Sequence, residues 1–384
     1  MNNTKIGVLH RNGKDTKEKN VKTKKIKIRV DEESWLEICN IGNGAFWPLQ
    51  GFMDSADYTD VVEYMHLNNG SPWTIPVTLD IPEEIISDVI KSERVILVNS
   101  FGEEVADLFV GDVYKVNYEN DIKLIFGTDK TDHPGVKKEI SRSMYRLGGP
   151  IKVKKYIDDV FPRYNLTPSE TKKIFKDKGW TNITGFQTRN PIHRAHEYLQ
   201  KIAIEITDGI FIQPLIGWKK DDDFSPLAVI TAYERMLEDF YPANSAVLGT
   251  LRTPMRYAGP REAVFHAIIR RNYGCTHFVV GRDHAGVGGY YGKYDAHKLC
   301  NSFDNLGINV LALHGAYYCK KCLSIVTERT CPHGDNYSLN ISGTQLREMI
   351  KNNVLPPPEY MRKEISDTLM DLSKKKQLFV EEGI

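Results

Sequence analysis

Short apolar segments alternate with amphipathic segments throughout the second half of this 384-residue chain. The apolar segments predict strands at residues 208–217, 244–251, 276–283 and 308–314. The segments between them have apolar residues three and four positions apart and predict helices at about 194–206, 227–240 and 261–273. Strands that alternate with helices in this way favour a doubly wound parallel sheet, whose ligands bind beyond the carboxyl ends of the strands.

The first half of the chain has a different pattern. Its β-rich segments, broken by turns, predict strands at residues 73–81, 94–100, 106–116 and 122–127, and one helix is predicted at 54–65. This pattern indicates a separate β-rich domain. Residues up to about Lys25 are expected to form a tail, or a first strand with a charged linker. The basic run at 22–30 is more typical of a solvated strand edge than of a nucleic-acid patch.

Two further helical segments set the predicted domain boundaries. Residues 153–180 predict a helical connector, with the sequence from Thr167 to Glu170 as a helix start. A last polar helical segment is predicted at 357–379. We therefore expect an N-terminal domain with its connector at residues 1–175, an α/β domain at 176–348 and a small C-terminal helical domain at 349–384.

A cluster of polar and cationic residues follows a predicted strand at residues 180–186, which ends in Gly185. The tetrapeptide Gln-Thr-Arg-Asn at 187–190 supplies four different hydrogen-bonding side chains, and Pro191 suits the first turn of a helix. His193 and His196 are three residues apart, so they share one face of that helix. Because a helix N-terminus favours anions, the cluster predicts a phosphate or sulfate site. A surface loop before an ordinary amphipathic helix is the alternative.

Two other segments have residues that suit anions. The sequence Gly-Arg-Asp-His-Ala-Gly at 281–286 follows a predicted strand, and its glycines let backbone N–H groups approach an anion. Asp283 can accept a hydrogen bond from a ribose or a base, and a tight structural turn is the alternative. Further along, Ser342 or Thr344 can cap the helix that follows. Arg347, one turn into that helix, would then face the triphosphate of a bound nucleotide.

A cysteine cluster near residue 320 has the spacing of a metal site. Cys319 and Cys322 form a Cys-x-x-Cys pair, and Cys331 and His333 follow after eight residues. Three thiolates and one imidazole suit tetrahedral zinc, with Asp335 as the other candidate for the fourth ligand. A redox pair is the alternative, but the third cysteine and the histidine argue against it. The other cysteines are predicted to be buried core residues, namely Cys39, Cys275 and Cys300.

The segment at 253–262 has two arginines around a Gly-Pro turn. Arg256 is a candidate substrate contact, and Arg261 is expected to orient the turn. In the helix that follows, His266 is predicted to be a core residue or to support a residue of the site. Three apolar residues of this helix are predicted packing positions, namely Phe265, Ile269 and Tyr273.

Composition and charge exclude several classes of protein. A net charge of +1 creates no global field that would attract nucleic acid or lipid. No apolar run approaches the length of a membrane span, and the N-terminus has no signal-peptide core. Six cysteines are too few and too unevenly spaced for a secreted disulfide scaffold, which favours a cytoplasmic protein. In the charged loop at 214–224, Lys219 and Lys220 either assist a phosphate or are simply solvated.

Together these segments resemble the motifs of the ATP sulfurylase (sulfate adenylyltransferase) family. Four segments are similar to its catalytic motifs: QTRNPIHRAH at 187–196, MRYAGPREAVFHAIIRRNYG at 255–274, GRDHAGVG at 281–288 and NISGTQLR at 340–347. Two others, GAFWPLQGFM at 44–53 and DHPGV at 132–136, are similar to its N-terminal signatures. The resemblance implies a PUA-like N-terminal domain, a Rossmann-like nucleotidyltransferase catalytic domain that contains the zinc-binding segment 319–333, and a small C-terminal domain.

The resemblance also implies a reaction, in which ATP and sulfate give adenosine 5′-phosphosulfate and pyrophosphate. Sulfate would attack the α-phosphorus directly and in line, with Mg²⁺ bound to ATP. A homodimer is the implied assembly, and the cysteine cluster is similar to a zinc site found in part of the family. No P-loop pattern occurs in the sequence, so a fused adenylylsulfate kinase is not expected.

The residues implied by the resemblance fall into three groups. Sulfate is held by Gln187, Arg189 and the backbone of Ala285. The catalytic group comprises Thr188, Arg189, Asn190, His193 and His196. The nucleotide is bound by Asn190, His193, His196, Gly281, Arg282, Asp283, His284 and Val326, with the histidines on the phosphates and Val326 on adenine.

Two other functions are open on the sequence alone. A nucleotidyltransferase that joins AMP to a phosphate ester or a carboxylate would use helix-start histidines equally well. An RNA-binding protein would suit the β-rich first half beside a Lys-rich strand. Against the second alternative, that strand lacks interleaved aromatic residues and the net charge is near zero.

Overall fold

A computed structural model describes residues 26–217, 223–341 and 343–380. The predictions made for the segment up to Lys25, for Lys219 and Lys220, and for a cap by Ser342 concern residues outside these ranges. The described residues form two large β-sheets and one small sheet, with helices between the strands. None of the helices in these ranges is both long enough and apolar enough to cross a membrane.

A seven-stranded mixed sheet forms the N-terminal region. Its strands are β1 Lys27–Arg29, β2 Gly51–Phe52, β3 Leu79–Asp80, β4 Arg94–Val98, β5 Glu104–Phe109, β6 Asp112–Lys115 and β7 Tyr145–Val153. β7 is the hub of the sheet, because β2, β3, β5 and β6 all pair with it in antiparallel register. β1 pairs with β4 and exposes Lys27 and Arg29, as expected of a solvated strand edge.

Helices of the N-terminal region follow local sequence cues. They are α1 Glu32–Gly42, α2 Ser55–Tyr64, α3 Ile86–Ile90, α4 Tyr118–Phe126 and α5 Pro134–Ile140, with a 3-10 turn at Glu83–Ile85. α2 confirms the helix predicted at 54–65. Its N-cap is Asp54, whose carboxylate accepts the N–H of Asp57 at 2.9 Å.

The strand predicted at 122–127 is wrong, because these residues lie in α4 and its C-cap. Ile122, Ile125 and Phe126 have helical spacing and are buried on one face. Asp121 fixes the start of the helix by accepting the N–H of Asn117 at 2.9 Å, and Gly127 ends it with a φ of 68°. Helical periodicity therefore outweighs the β propensity of the isoleucines.

The strands predicted at 73–81 and 106–116 are interrupted. In the first, Leu79 and Asp80 pair with β7, whereas Pro76 has no N–H to donate to a ladder. The second is split into β5 and β6 at Gly111, whose N–H donates to the carbonyl of Gly148 at 2.9 Å. The chain turns at Gly111, so that β5 and β6 pair with different halves of β7.

A five-stranded, wholly parallel sheet forms the second region. Its strands are β8 Ile183–Thr188, β9 Gly209–Pro214, β10 Ala246–Leu248, β11 His277–Val280 and β12 Asn309–Ala312. Its helices are α6 Pro168–Asp177, α7 Arg194–Ile206, α8 Pro226–Phe240, α9 Pro260–Asn272 and α10 Asp295–Asn301. The strand order β10-β9-β8-β11-β12 reverses direction between β8 and β11. The doubly wound sheet predicted from the alternating pattern is therefore confirmed.

Local sequence cues predict the start of α6 but not the end of β8. The predicted helix start at Thr167 is confirmed as a capping box, in which Thr167 and Glu170 each accept the other's backbone N–H. The strand expected to end at Gly185 continues to Thr188, because Gln187 and Thr188 still pair with β9. Two residues of the polar cluster are thus held by the rigid sheet.

α9 connects the two large regions. Arg256, just before α9, forms an ion pair with Glu37 of α1. Arg261, in its first turn, donates to the carbonyls of Val61 and Val62 at 3.1 and 2.7 Å. Arg256 is therefore engaged at the junction between the regions, and a contact with substrate stays a prediction. Phe265, Ile269 and Tyr273 are buried, as predicted.

The C-terminal segment is fastened to α7. It contains α11 Gly343–Lys351 and α12 Lys363–Lys374, whose apolar residues share a core with Phe186 and Ile192. Arg362, the N-cap of α12, donates to both carboxylate oxygens of Glu197 in α7. Burial alone would raise the pKa of Glu197, but hydrogen bonds from Arg362, Lys201 and Arg194 bring it down to about 2. One carboxylate thus joins the C-terminal segment to the first turns of α7.

Candidate active site

The carboxyl ends of β8 and β11 lie side by side where the strand order reverses. Residues 187–196 continue from β8, and residues 281–289 follow β11. Because the two strands are parallel neighbours, both polar segments leave the sheet at the same edge. The fold thus brings together two of the three segments that the sequence singled out for anions.

A hydrogen-bonded turn connects β8 to α7. Oγ1 of Thr188 accepts the N–H of Asn190 and donates to the carbonyl of the same residue, at 3.1 Å in each case. α7 begins at Arg194, with His193 as its N-cap in extended backbone conformation. The prediction that Pro191 occupies the first helical turn is therefore wrong, because the side chain of His193 caps the helix and fixes a later start.

His193 and His196 stack as a pair of neutral imidazoles. Their ring centroids are 3.9 Å apart, and the planes are inclined by 26°. Burial lowers the pKa of His193 well below its usual range, with a further contribution from His196, and burial lowers the pKa of His196 to about 4. Nδ1 of His193 accepts the N–H of His196 at 3.3 Å, so the neutral ring carries its proton on Nε2. The pair therefore offers N–H donors without a positive charge.

Two buried polar atoms at this turn have no hydrogen-bond partner among the described residues. They are Oε1 of Gln187 and Nδ1 of His196. An orphaned buried polar group costs free energy, and such groups are typical of sites that a ligand or water completes. The two atoms therefore mark a place for a polar ligand at the end of β8.

Arg189 connects the β8 turn to the turn that begins at Gly281. Its guanidinium carbon lies 5.6 Å from the ring centre of Tyr257. Burial raises the pKa of Asp283, and the positive charges of Arg282 and Arg189 oppose that shift. Burial lowers the pKa of His284 to about 3, and the charge of Arg189 adds to the effect. The N–H of Gly259, two residues beyond Tyr257, donates to the carbonyl of Ala285 at 3.3 Å. The β8 turn and the Gly281 turn therefore meet at this loop and form one site.

Left-handed backbone at alternate residues shapes the turn after β11. Asp283 and Ala285 have φ values of 53° and 57°, and His284 lies between them. Alternation of this kind directs successive N–H groups to one side and forms an anion-binding concavity. A methyl group placed on Gly281 would meet no described atom within 4 Å, so open space adjoins the start of this turn.

The third segment reaches the same site through α11. A methyl group on Gly343, the first residue of α11, would lie 2.8 Å from Oδ1 of Asn190, so the two residues are in close contact. Arg347 forms an ion pair with the buried Asp223 and donates to Oγ1 of Thr344 at 3.1 Å. Arg347 therefore braces the start of the helix, and its contact with a triphosphate stays a prediction.

Arg282 and Val326 lie towards the β12 side of the site. A methyl group on Gly315 would lie 3.1 Å from Cδ of Arg282, so this side chain crosses the chain that follows β12. Val326 is buried in β14 Ser324–Thr327, which forms a small antiparallel sheet with β13 Ala316–Cys319 and β15 Ser338–Leu339. β13 and β14 pack against α7. The small sheet thus borders the site, and contact between Val326 and adenine stays a prediction.

Three thiols and an imidazole converge beside the small sheet. Nδ1 of His333 lies 3.5, 3.2 and 3.5 Å from the Sγ atoms of Cys319, Cys322 and Cys331. Ligand atoms about 2.3 Å from a tetrahedral zinc ion are roughly 3.7 Å from one another, so the spacing fits such an ion. Within the described ranges this is the one group of three or more potential ligand side chains, and it includes His333 but not Asp335.

Comparison with known proteins identifies the family of the chain. A family model described as ATP-sulfurylase matches residues 162–372. The sulfate adenylyltransferase of Ignicoccus hospitalis is 44% identical over 345 residues, which are 90% of each chain. That of Synechocystis sp. is 43% identical over 347 residues, which are 90% of this chain and 89% of the relative. The chain belongs to the ATP-sulfurylase family. A second model, described as a PUA-like domain, matches residues 4–156.

The fold of this ATP-sulfurylase family member is also found in a solved structure. A structure titled hexameric APS kinase from Thiobacillus denitrificans matches with a TM-score of 0.70 and 24% identity. The match covers 91% of this chain and 63% of that chain, so the present chain spans less than two thirds of that protein. At this level of identity the likeness establishes the fold alone.

Sequence reasoning missed several residues of the site in this ATP-sulfurylase family member. Tyr257 lies beneath Arg189 in a left-handed conformation with a φ of 60°, and its place in the MRYAGP motif was the available signal. Asp223 is paired with Arg347, which is 124 residues away in sequence, so no local signal indicated it. Gly343 packs on Asn190, and its position at a helix start was the only signal.

Acid should destabilise this ATP-sulfurylase family member through its site histidines. An unfolded imidazole binds a proton near its ordinary pKa of 6.5, whereas the pKa values of folded His196 and His284 are about 4 and about 3. Below pH 6.5 the unfolded state therefore binds more protons than the folded state. The free energy of unfolding accordingly decreases as the pH is lowered. We expect each of these two histidines to lower the free energy of unfolding by ~2 kcal/mol between about pH 7.5 and about pH 5.

Urea unfolding at the two pH values measures this dependence. A His196→Phe variant should lose the part of the pH dependence that is due to His196. Its free energy of unfolding should therefore change less between the two pH values than that of the parent protein. An equal change of the free energy of unfolding in the variant and the parent protein would contradict the assignment of this effect to His196.

Proposed function

We propose that this chain is a sulfate adenylyltransferase, which converts ATP and sulfate to adenosine 5′-phosphosulfate and pyrophosphate, the first step of sulfate activation. The observation that carries the proposal is the meeting of the β8 turn, which carries Arg189, with the Gly281 turn at the reversal point of the parallel sheet. Membership of the ATP-sulfurylase family supports the same reaction, because relatives named sulfate adenylyltransferase are 43–44% identical over about 90% of the chain.

Sulfate would bind at the β8 turn. The planar guanidinium of Arg189 can donate two parallel hydrogen bonds to a tetrahedral oxyanion. The side-chain amide of Gln187 and the backbone N–H of Ala285 would complete the contacts. Sulfate is already ionised at neutral pH, so the reaction needs no general base. The site must instead hold two anions that repel each other in position for in-line attack.

ATP would bind along the turn from Gly281 to His284, with its phosphates near the N-terminus of α7. The N–H of Nε2 on neutral His193 and the free N–H groups of the helix start can donate to phosphate oxygens. Negative charge develops on the α-phosphate and on the departing pyrophosphate during the reaction. Donors that are already in place stabilise this charge without reorganisation. Val326 would contact the adenine from the small sheet.

Thr188 and Asn190 would act mainly by shaping the loop that carries Arg189. Thr188 forms two hydrogen bonds with the backbone of Asn190. Asn190 in turn packs on Gly343, which joins the loop to α11. The side-chain amide of Asn190 would also reach the phosphates.

ATP would enter as its magnesium complex. In the described part of the chain, the cysteine cluster is the one group of three or more potential metal ligands, so no preformed carboxylate cage for Mg²⁺ is seen there. Mg²⁺ usually keeps several waters and takes phosphate oxygens from the nucleotide, so it needs few protein ligands. Asp283 is the carboxylate that the Gly281 turn offers. The ion neutralises part of the phosphate charge when it is bound.

Pyrophosphate release tests the proposed reaction. The full chain is incubated with MgATP alone, with sulfate, and with phosphate-ester or carboxylate acceptors. We expect release that depends on sulfate and formation of adenosine 5′-phosphosulfate in equal amount. Release with another acceptor but not with sulfate would assign a different nucleotidyltransferase activity.

Gly281→Ala should weaken ATP binding without harming the fold. The φ of Gly281 is not positive, and a methyl group there meets no described atom within 4 Å, so the folded chain accepts alanine. The methyl group would occupy the space proposed for the nucleotide, and we expect the KM for ATP to rise about ten-fold or more, which corresponds to about 1.4 kcal/mol. Steady-state kinetics gives the KM, and a thermal melt gives the stability. An unchanged KM for ATP would contradict the proposed position of the nucleotide.

We propose that the cysteine cluster holds one structural zinc ion through Cys319, Cys322, Cys331 and His333. The four ligand atoms lie within 4.8 Å of one another, and thiolates with an imidazole suit zinc. The residues of the cluster connect β13 and β14 to β15, which leads into α11. A bound ion would therefore hold both the strand that carries Val326 and the helix start that packs on Asn190.

Loss of the metal should loosen the small sheet. We expect about one zinc ion per parent chain and none in a Cys322→Ser variant, with a melting temperature lower by several degrees, because metal-binding free energy is part of the folding free energy. Elemental analysis and thermal melts measure both quantities. Cys39→Ser changes a cysteine far from the cluster in sequence and should keep the metal. Full zinc content in the Cys322→Ser variant would contradict the ligand assignment.

The domain boundaries, assembly and location also stay proposals. We assign the PUA-like domain and connector to residues 1–175, the catalytic domain to 176–348 and the C-terminal domain to 349–384. We expect a homodimer, which sedimentation analysis would test, and a cytoplasmic location. None of the six cysteines forms a disulfide, which suits a reducing compartment. Nucleic acid and membranes are not expected as partners.

A further inference from the structure

A chain of three titratable side chains runs from the interior of α9 to the Gly281 turn. Glu262 and His266 lie one turn apart on α9, and their side chains are 0% and 1% exposed. Nε2 of His266 is 3.5 Å from Oε1 of Glu262. Its other nitrogen, Nδ1, is 3.2 Å from Nε2 of His284. Each nitrogen of His266 thus faces a different polar group.

Both carboxyl oxygens of Glu262 serve as hydrogen-bond acceptors. Oε1 accepts the N–H of Arg256 at 2.9 Å, and Oε2 accepts the N–H of Ala258 at 3.1 Å. Burial raises the pKa of Glu262, and these two hydrogen bonds and the positive charges of Arg256 and Arg189 oppose that shift. A carboxylate can only accept, so the nitrogen of His266 that faces it must carry a proton.

The proton positions along the rest of the chain follow from this. A neutral imidazole has one donor and one acceptor nitrogen, so His266 with a proton on Nε2 presents Nδ1 as an acceptor. Nε2 of His284 must then be the donor at the 3.2 Å contact. Nδ1 of His284, which has no hydrogen bond to a described residue, is left as an acceptor. The burial of both rings and the nearby charge of Arg270 keep the pKa values of His266 and His284 low, so both rings are neutral at neutral pH.

We propose that His266 is a positioning residue, which together with Glu262 fixes His284 in the tautomer with its proton on Nε2, so that Nδ1 accepts a hydrogen bond from the nucleotide. This inference rests on the proposed function, because it takes the Gly281 turn as the nucleotide site. The matching group on the ligand is a donor, either an N–H of the base or a hydroxyl of the ribose. A ligand with an acceptor at that position would meet an unpaired lone pair, which is costly in a buried site.

Nitrogen-15 NMR of the histidines in the full chain reads the tautomer directly, since protonated and unprotonated ring nitrogens have different shifts. The signal of His284 is identified by its loss in a His284→Asn variant. In the parent protein we expect a single neutral tautomer with the proton on Nε2. Observation of the opposite tautomer would overturn the proposal.

Two substitutions of His266 separate positioning from packing. In His266→Asn, the amide oxygen occupies nearly the place of Nδ1 and can still accept from His284, whereas His266→Phe fills similar volume without an acceptor. We expect the phenylalanine variant to lose the single tautomer and to raise the KM for ATP roughly 3- to 10-fold, the range for loss of one neutral hydrogen bond, with kcat little changed. The asparagine variant should keep the tautomer and most of the affinity.

The outcomes distinguish this inference from the proposed function. An unchanged His284 tautomer and an unchanged KM in folded His266→Phe would overturn the positioning role, even if the parent protein is fully active. If kcat fell and KM rose to the same extent in the asparagine and phenylalanine variants, His266 would have a packing role. That result would also overturn the positioning role. If the parent protein made no adenosine 5′-phosphosulfate, the proposed function would fail, but the NMR result would still decide the tautomer.

Discussion

Arg189→Ala is expected to lower the turnover of sulfate-dependent pyrophosphate release by about 10²- to 10³-fold, the range for removal of one donor that stabilises developing charge. The guanidinium of Arg189 lies over Tyr257, and its charge acts on Asp283 and His284. It is therefore placed between the two segments that would hold sulfate and nucleotide. Loss of its charge removes the group that offsets the repulsion between these two anions.

Arg189→Lys should be almost as inactive, since an ammonium group keeps the charge but not the planar pair of donors. A matched control is Arg235→Ala, which removes a half-exposed arginine that pairs with Asp239 on α8 and should leave turnover nearly unchanged. Initial rates at saturating ATP and sulfate, with urea unfolding of the same samples, measure activity and stability separately. Near-normal turnover in the lysine variant would exclude a two-pronged contact as the role of Arg189.

Substitutions of His193 should separate its structural role from its chemical role. His193 is the N-cap of α7, since its Nδ1 accepts the N–H of His196 at 3.3 Å. His193→Ala removes both the cap and the imidazole, and we expect stability to fall by ~1 kcal/mol and turnover to fall by about 10²-fold or more. His193→Asn restores a good N-cap but no imidazole. It should therefore regain most of the stability while turnover stays low.

The asparagine variant is the decisive member of this pair. Denaturant unfolding reports the cap, and the rate of adenosine 5′-phosphosulfate formation reports the donor on Nε2. If His193→Asn recovered turnover as well as stability, His193 would serve only to begin the helix. The proposed donation to phosphate would then have to be assigned to other groups.

The imidazoles of the candidate site are neutral, and its positive charge comes from arginine. Burial lowers the pKa values of His193, His196 and His284, so at neutral pH the free protein offers these rings as hydrogen-bonding groups. The positive charge at the meeting point of the two segments comes from Arg189, with Arg282 beside Asp283. Because a neutral donor and a fixed guanidinium differ in strength, the loss of Arg189 should be the larger effect on turnover.

Features with local causes could be predicted from the sequence. The helix at 194–206 was predicted with the bounds of α7, because its apolar residues recur at helical spacing. The capping box at Thr167 and the N-cap at Asp54 also follow from residue types a few positions apart. The candidate site was located at a strand end because parallel neighbours necessarily end at the same edge of the sheet.

Features with distant partners could not be predicted. Arg256 and Arg347 looked like substrate contacts, yet their partners are Glu37 and Asp223, which are 219 and 124 residues away in sequence. No spacing rule links such residues, so only the fold shows that these guanidinium groups are engaged within the protein. The contact between His266 and His284 has the same character, since it crosses from α9 to the turn after β11.

A crystal structure of the chain with bound adenosine 5′-phosphosulfate tests the central claim most directly. The account predicts that the sulfate group lies within roughly 3.2 Å of the guanidinium of Arg189 and of the N–H of Ala285, with the adenylate along the turn from Gly281 to His284. A cavity of about 770 Å³ elsewhere in the described structure is lined by Glu37, Arg142 and Arg256. Binding of the product there, or a sulfate group without contact to Arg189, would contradict the account.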